Sequence, residues 1–210
     1  MPLEDKTAPI PIIKRILDLT MTIPGILILS PLLLYISLLV WVNYGTPIIF
    51  RQKRPGYRGK PFWVYKFRSM TNAHDEQDNL LPDGQRLTRL GRFLRSTSLD
   101  ELPELFNVLR GEMSIVGPRP LLMQYLERYS PEQARRHEVL PGITGWAQVN
   151  GRNALTWEEK FKLDVWYVDH WSFWLDIRII LLSIFKVLRR EGINQPGQAT
   201  AEEFMGNHDS

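Results

Sequence analysis

LTMTIPGILILSPLLLYISLLVWV, residues 19–42, carries no charged side chain and is interrupted near its middle by Ser30-Pro31. A bilayer core is crossed by about 20 apolar residues in a helix, so length alone points to a membrane. Pro31 has no amide hydrogen to donate and its ring presses on the preceding turn, which predicts a kink at Ser30. The Ser30 hydroxyl can satisfy a carbonyl freed there, which in lipid would otherwise cost several kcal/mol. Lys6, Lys14 and Arg15 precede the run, and Arg51, Lys53, Arg54, Arg58 and Lys60 follow it. Cations mark the cytoplasmic side of a membrane segment, so a straight span would leave one cluster on the wrong side. A re-entrant helix-break-helix hairpin with its apex at Ser30-Pro31, entering and leaving on the cytoplasmic face, suits both clusters. A kinked full span and a buried core helix are the alternatives. No small-residue cleavage site follows, which argues against a signal peptide.

Outside this run the chain reads as water-soluble, with a mean hydropathy of −0.21 over 210 residues. The expected division is a membrane hairpin with its N-terminal tail over residues 1–45, one cytoplasmic domain over 46–194, and a C-terminal tail over 195–210. Zero cysteines exclude a disulfide scaffold, thiolate metal sites and thiol catalysis. A net charge of +3 and a pI near 9.2 suggest an anionic partner: nucleic acid, an acidic membrane surface or a phosphorylated substrate.

The fold class expected is mainly α with few short strands, a small α/β-like catalytic domain carrying interfacial amphipathic helices. Residues 47–50 and 62–67 read as short strands bracketing the basic turn RPGYRGKP. Leu87, Leu90, Phe93 and Leu94 recur at helical spacing, DELPELFNVLR is a short helix ended by Gly111, and LLMQYLERY and PEQARRHEV also look helical. WSFWLDIRIILLSIFKVLRR, residues 171–190, is too charged to span and too apolar to be solvated, so it reads as interfacial or core-packed.

The chemistry candidates centre on STSLDELPEL. Ser98 and Glu101 have the spacing of a capping box, whose plain reading is a helix start. Asp100 and Glu101 then lie at a helix N-terminus, where a carboxylate stays ionised and can act as a nucleophile or bind a divalent ion. Arg95 stands just upstream. Downstream, GPRP holds Arg119 between Pro118 and Pro120, which restrains the backbone behind the guanidinium; alone, it could equally be a rigid surface turn. In YKFRSM a strand would put Lys66 and Arg68 on one face, to meet a phosphate or simply solvent. PGITGWAQVNGRN joins Gly142, Gly145 and Gly151 to Gln148, Asn150, Arg152 and Asn153, suiting a pyrophosphate or nucleotide, or a structural loop. Paired carboxylates, fixed arginines and a membrane hairpin together suggest phosphoryl chemistry on a lipid. No phosphate-binding P-loop, dinucleotide fingerprint, His-Glu-x-x-His or D-x-D pattern is present, and no nucleic-acid recognition motif, so nucleic acid is not an expected partner.

FRQKRPGYRGKPFWVYKFRSM, RSTSLDELPELFNVLRGEMSIVGPRPLL and PGITGWAQVNGRN, in this order after the Ser-Pro-broken run, resemble the bacterial sugar transferase family, the monotopic phosphoglycosyl transferases. The resemblance runs from about Lys14 to the terminal TAEEFMG. The tail GQATAEEF is similar to that of family members that transfer di-N-acetylbacillosamine phosphate in bacterial protein glycosylation. The resemblance implies transfer of a sugar 1-phosphate from a UDP-sugar to polyprenyl (undecaprenyl) phosphate, with release of UMP and use of Mg2+. It implies Asp100 as nucleophile and Glu101 as its partner, both near the metal, with Lys66, Arg68, Arg95, Pro118, Arg119, Pro120 and Arg152 around phosphate or uridine. It also implies a monotopic enzyme on the cytoplasmic face of the bacterial inner membrane, in contact with membrane lipids; a homodimer is left open. The alternatives are a direct glycosyltransferase releasing UDP, and a membrane-tethered basic binding or scaffold protein without catalysis.

Overall fold

A computed structural model describes residues 10–151, 154–189 and 203–206. The first element, α1 (Ile12–Tyr44), is one helix that ends at Gly45 with a left-handed φ of 69°. Pro24 and Pro31 lie inside it, so Ser30-Pro31 is not the break expected of a hairpin apex. The helix continues because the loss at Pro31 is local. Its missing donor would have bonded the carbonyl of Leu27, and the Ser30 hydroxyl donates to that carbonyl at 2.8 Å instead.

Burial along α1 divides it into two arms. Lys14, Asp18 and Thr22 are buried one turn apart, as are Ile36 and Val40, while residues 23–35 include none that is buried. The middle is bare apolar surface, with Leu27 69%, Ile28 76% and Leu34 72% exposed. Only 17% of the most apolar window is buried, which removes the core-helix reading.

Two cations read as membrane flanks are internal ties. Lys14 Nζ pairs with Asp176 at 2.7 Å and donates to the Tyr167 hydroxyl at 3.1 Å. Arg15 donates to the carbonyls of Val108 and Leu109 at 2.5 and 2.8 Å, at the end of a helix that leaves such groups unpaired. Asp18 accepts from the Ser114 hydroxyl and the Ile115 amide, both at 2.9 Å. The other arm packs Ile36 and Val40 against Phe67 and Leu94.

Next come β1 (Ile49–Pro55) and β2 (Pro61–Phe67), an antiparallel hairpin in register from Ile49 opposite Phe67 to Pro55 opposite Pro61. The first strand reaches further than residues 47–50 because its basic residues have strand partners. Arg51 lies over the Tyr65 ring at 5.8 Å and Lys53 over the Trp63 ring at 5.3 Å, a cross-strand cation–π pairing on the outer face. Phe62 and Val64 turn inward onto Val108 and Met113.

The short α2 (Asp83–Arg86) leads to α3 (Arg89–Ser96), capped by the Thr88 hydroxyl, and then to α4 (Glu104–Arg110), which ends at Gly111 as expected. Two short strands, β3 (Ser114–Val116) and β4 (Gly142–Thr144), pair in parallel. Between them LLMQYLERY forms only a 3-10 turn, Met123–Glu127, followed by α5 (Pro131–Ala134) with a Ser130/Gln133 capping box. After β4 come α6 (Trp146–Asn150), α7 (Trp157–His170) and α8 (Phe173–Arg189). Val116, Val149, Tyr167, Leu175, Ile179 and Ile180 form the core that these elements share. The opposite face of α8 exposes Trp174, Leu181, Ile184 and Phe185, the two-faced pattern expected of residues 171–190.

Among the described residues the protein is thus mainly helical with few short strands. The C-terminal segment is not wholly a tail: Phe204 is buried among Tyr125, Phe161 and their neighbours, because an aromatic side chain gains most by leaving water.

Candidate active site

The capping box at Ser98 does not form. Ser98 adopts a left-handed φ of 56°, its side chain caps nothing, and residues 99–101 make a 3-10 turn ahead of α4. Such a backbone costs a non-glycine residue about 1–2 kcal/mol. Glu101 is drawn instead to stronger partners: Lys66 Nζ stands 2.6 Å from Oε1, and Arg119 donates to both carboxylate oxygens, to Oε2 at 3.3 Å. Charge-assisted bonds of this kind outcompete a backbone amide. Lys66 also reaches Glu104 Oε1 at 3.2 Å. Glu101 and Glu104 therefore bracket Lys66, Arg119 closes on Glu101, and Asp100 lies within the electrostatic reach of both cations.

Electrostatics separate the three acids. Burial pushes Glu101 up, but the charges of Arg119 and Lys66 and their hydrogen bonds outweigh it and hold Glu101 well below the usual range. Asp100, 7% exposed, is pushed up by burial and then by the Glu101 charge, against the pull of Lys66, Arg95 and Arg119. Burial raises Glu104 to about 7; Lys66 opposes this and Glu101 adds to it. Arg119, whose side chain is partly exposed, is held firmly protonated by Glu101.

Glu104 makes stability depend on pH. A carboxyl raised on folding contributes stability that is fully present below its ordinary 4.5 and lost as pH rises through about 7. Over that window wild-type protein is expected to lose ~1.4 kcal/mol per pH unit through this group, and Glu104→Gln to lose none of it. Denaturant melts of both proteins across the window check this; parallel pH profiles would refute it.

Arg119 is held from behind. Gly117 donates to the Thr144 carbonyl at 2.8 Å and Gly142 to the Pro118 carbonyl at 3.0 Å, locking GPRP to the β3–β4 ladder. A Cβ on Gly142 would stand 2.1 Å from the Gly117 amide nitrogen, so the glycines of PGITG serve close backbone packing here, the structural-loop alternative. Arg136 donates to the Arg119 carbonyl at 2.8 Å while forming a buried pair with Asp164 at 2.7 and 3.0 Å. Pro118, Arg119 and Pro120 line a narrow crevice with Pro55, Arg136 and His137.

The remaining candidates divide. Arg95, in the last turn of α3, donates to Ser69 Oγ at 3.0 Å and is one of the cations acting on Asp100. Arg68 lies elsewhere: β2 ends at Phe67, so the alternation that pairs Arg68 with Lys66 stops one residue short. Its guanidinium donates to the carbonyls of Met70 and Tyr44, both at 3.0 Å, tying the end of α1 to the domain. Arg152 lies outside the described residues. Glu104, Arg136 and Asp164 were not among the sequence candidates. Only Glu104 had a readable signal, since its spacing from Asp100 and Glu101 is that of one helical face. The buried amide of Gln148 has no partner among the described residues.

Among the described residues no group of three or more His, Asp or Glu side chains is arranged as a metal cage. The donor set still fits Mg2+, which is commonly held by one or two carboxylates together with substrate phosphates and water. Asp100 and Glu101 are the acids of the cluster that would supply such ligands, although Glu101 already carries Lys66 and Arg119.

The profile of the bacterial sugar transferase family matches residues 10–190. The sugar transferase EpsL of Bacillus subtilis (strain 168) is 57% identical over 198 residues, 94% of this chain and 98% of its own length. The UDP-glucose:undecaprenyl-phosphate glucose-1-phosphate transferase of Klebsiella pneumoniae is 44% identical over 83% of this chain and 40% of its own length. The undecaprenyl-phosphate galactose phosphotransferase of Salmonella typhimurium (strain LT2) is 41% identical over 86% of this chain and 41% of its own. The chain thus spans nearly all of EpsL and about two-fifths of the two larger relatives. A match of that extent, over the segment that holds the acid cluster and its cations, means that this chain belongs to the bacterial sugar transferase family.

Proposed function

We propose that this chain transfers a sugar 1-phosphate from a UDP-sugar to undecaprenyl phosphate and releases UMP. The observation that carries the reading is Asp100, a buried carboxylate beside Glu101 and within the field of Lys66, Arg95 and Arg119. In the first step an Asp100 carboxylate oxygen attacks the sugar-bearing phosphorus of the UDP-sugar, the bond from that phosphorus to the bridging oxygen breaks, and UMP leaves with the electron pair. In the second, a phosphate oxygen of the polyprenyl phosphate attacks the same phosphorus and returns Asp100 to its carboxylate. An acyl phosphate is reactive enough for this second displacement. Lys66 and Arg119 hold Glu101 ionised and present fixed positive charge where phosphate charge gathers. Mg2+ held by Asp100 and Glu101 with the donor phosphates would supply further charge neutralisation.

The donor class is supported by the activity for which the Klebsiella relative is named, and the acceptor class by the names of both the Klebsiella and Salmonella relatives. For the sugar, the tail GQATAEEF supports an N-acetylated amino sugar such as di-N-acetylbacillosamine, whereas those relatives are named for glucose and galactose. Incubating the protein and undecaprenyl phosphate with a panel of these UDP-sugars and identifying the released nucleotide tests the reading. UMP is expected with one of them; UDP would establish direct glycosyl transfer instead.

Membrane placement is read as re-entrant, on the cytoplasmic face of the inner membrane. Both arms of α1 dock on the same domain, through Lys14, Arg15 and Asp18 at one end and Ile36, Val40 and Tyr44 at the other. A helix spanning a bilayer would put these two docking ends on opposite faces of the membrane, so the reading requires α1 to bend at its prolines rather than to break at Ser30-Pro31. The exposed face of α8 supplies a second apolar surface for the interface. The chain has no cysteine, so single cysteines introduced at residues 2–8 can be labelled cleanly. They are expected to react only with reagent admitted to the cytoplasmic side. Labelling solely from the periplasm would refute the re-entrant placement.

A further inference from the structure

We propose that Glu203 and Phe204 form an anchor that positions Arg119 for the transfer reaction. Phe204 is 4% exposed. Its ring centroid lies 5.0 Å from that of Phe161, 5.6 Å from Tyr125, 5.7 Å from Trp157 and 5.9 Å from Tyr129. The backbone is held as well: the Phe204 amide donates to the Tyr125 hydroxyl at 3.0 Å, and Arg128 donates to the Phe204 carbonyl and, at 2.8 Å, to Glu203.

The path to the active site runs through two of these rings. The Arg136 guanidinium lies 5.6 Å from the Phe161 centroid and 5.8 Å from that of Tyr129. Arg136 in turn holds the Arg119 carbonyl at 2.8 Å, and the Arg119 side chain brackets Glu101. Phe204 thus fills the space against which Phe161 and Tyr129 press. Emptying that space lets both rings relax, because close-packed aromatic neighbours lose their contacts when one is removed. Arg136 then loses the walls that aim it at Arg119. The mechanism gives residues 203–204 no chemical part, so their effect is exerted through Arg119.

This inference rests on the reading that Arg119 serves phosphosugar transfer, and its test is a double-mutant cycle in UMP release. Phe204→Ala is expected to lower kcat/KM for the UDP-sugar about tenfold in the wild-type background, and by less than about twofold when Arg119 is already Lys. Equal losses in both backgrounds, or no loss in the first, would overturn the anchor. Should Phe204→Ala not fold, Phe204→Leu keeps most of the buried volume and is expected to show an intermediate loss with the same dependence on Arg119. A Leu variant with wild-type kcat/KM also overturns the proposal. A wild-type protein that releases no UMP from any UDP-sugar instead refutes the functional reading, and the anchor's role with it.

Discussion

Asp100→Asn is expected to abolish UMP release from a UDP-sugar, with or without polyprenyl phosphate, lowering turnover by about 10⁴-fold or more. The substitution keeps shape and volume and removes only the charge and nucleophilicity of the attacking oxygen. Its effect on folding runs the other way. Asp100 is raised by burial and by the Glu101 charge, so its ionised form is disfavoured in the folded state. Stability from such a group is present below its ordinary value and is lost as pH rises through the raised one. At neutral pH and above, Asn escapes that cost, and the variant is expected to melt no lower than wild type. Activity lost without stability lost separates chemistry from misfolding. A phosphosugar adduct that still accumulates on the Asn variant, detected by intact mass without acceptor, would show that another residue is the nucleophile. By the same physics, the acid limb of kcat/KM is expected to lie above the ordinary aspartate value of 3.8, because Asp100 must be ionised to attack.

The second large effect is predicted away from the reacting atoms. Asp164→Ala leaves the Arg136 guanidinium buried without its counter-charge and is expected to cost about 3–5 kcal/mol in unfolding free energy, measured by denaturant titration in detergent micelles. That is a large part of the marginal stability of a domain of this size. The pair lies inside the protein, with Arg136 2% and Asp164 3% exposed, so water cannot screen the orphaned charge. Replacing both partners, Arg136→Met with Asp164→Leu, is expected to recover most of the stability, since a buried pair replaced by apolar groups is often close to neutral. Activity is not expected to recover with it, because no donor then holds the Arg119 carbonyl. A double variant as unstable as the single one would refute the orphaned charge as the cause.

These two residues also show where local reading stops. The place of Asp100 and Glu101 just ahead of a short helix was legible because carboxylates are favoured at a helix N-terminus, and the Gly111 end of α4 because glycine is the residue that adopts its left-handed backbone. The capping box at Ser98 was legible too, and did not form. Its rule concerns only residues near in sequence, whereas the Glu101 carboxylate answers to Lys66 and Arg119, which the fold brings within hydrogen-bonding distance. The pairing of Arg68 with Lys66 on one strand face failed for a related reason: alternation holds within a strand, and the strand ended before Arg68.

What the sequence determined by itself was therefore whatever depends on short-range order. This includes the uncharged run of α1, the helical periods, the rigid GPRP turn and the residue types of the acid pair. Tertiary structure alone decided which charges meet. It assigned Lys14 to Asp176, Glu101 to Arg119 and Lys66, and Arg136 to Asp164, and it brought Phe204 back onto the domain. The physical reason is that burial takes charges out of water and makes each partner matter, and partners distant along the chain become neighbours only when the chain is packed. At Ser30-Pro31 both levels meet. The sequence placed a proline and a hydroxyl side by side, and the folded chain used the hydroxyl to carry α1 through the proline.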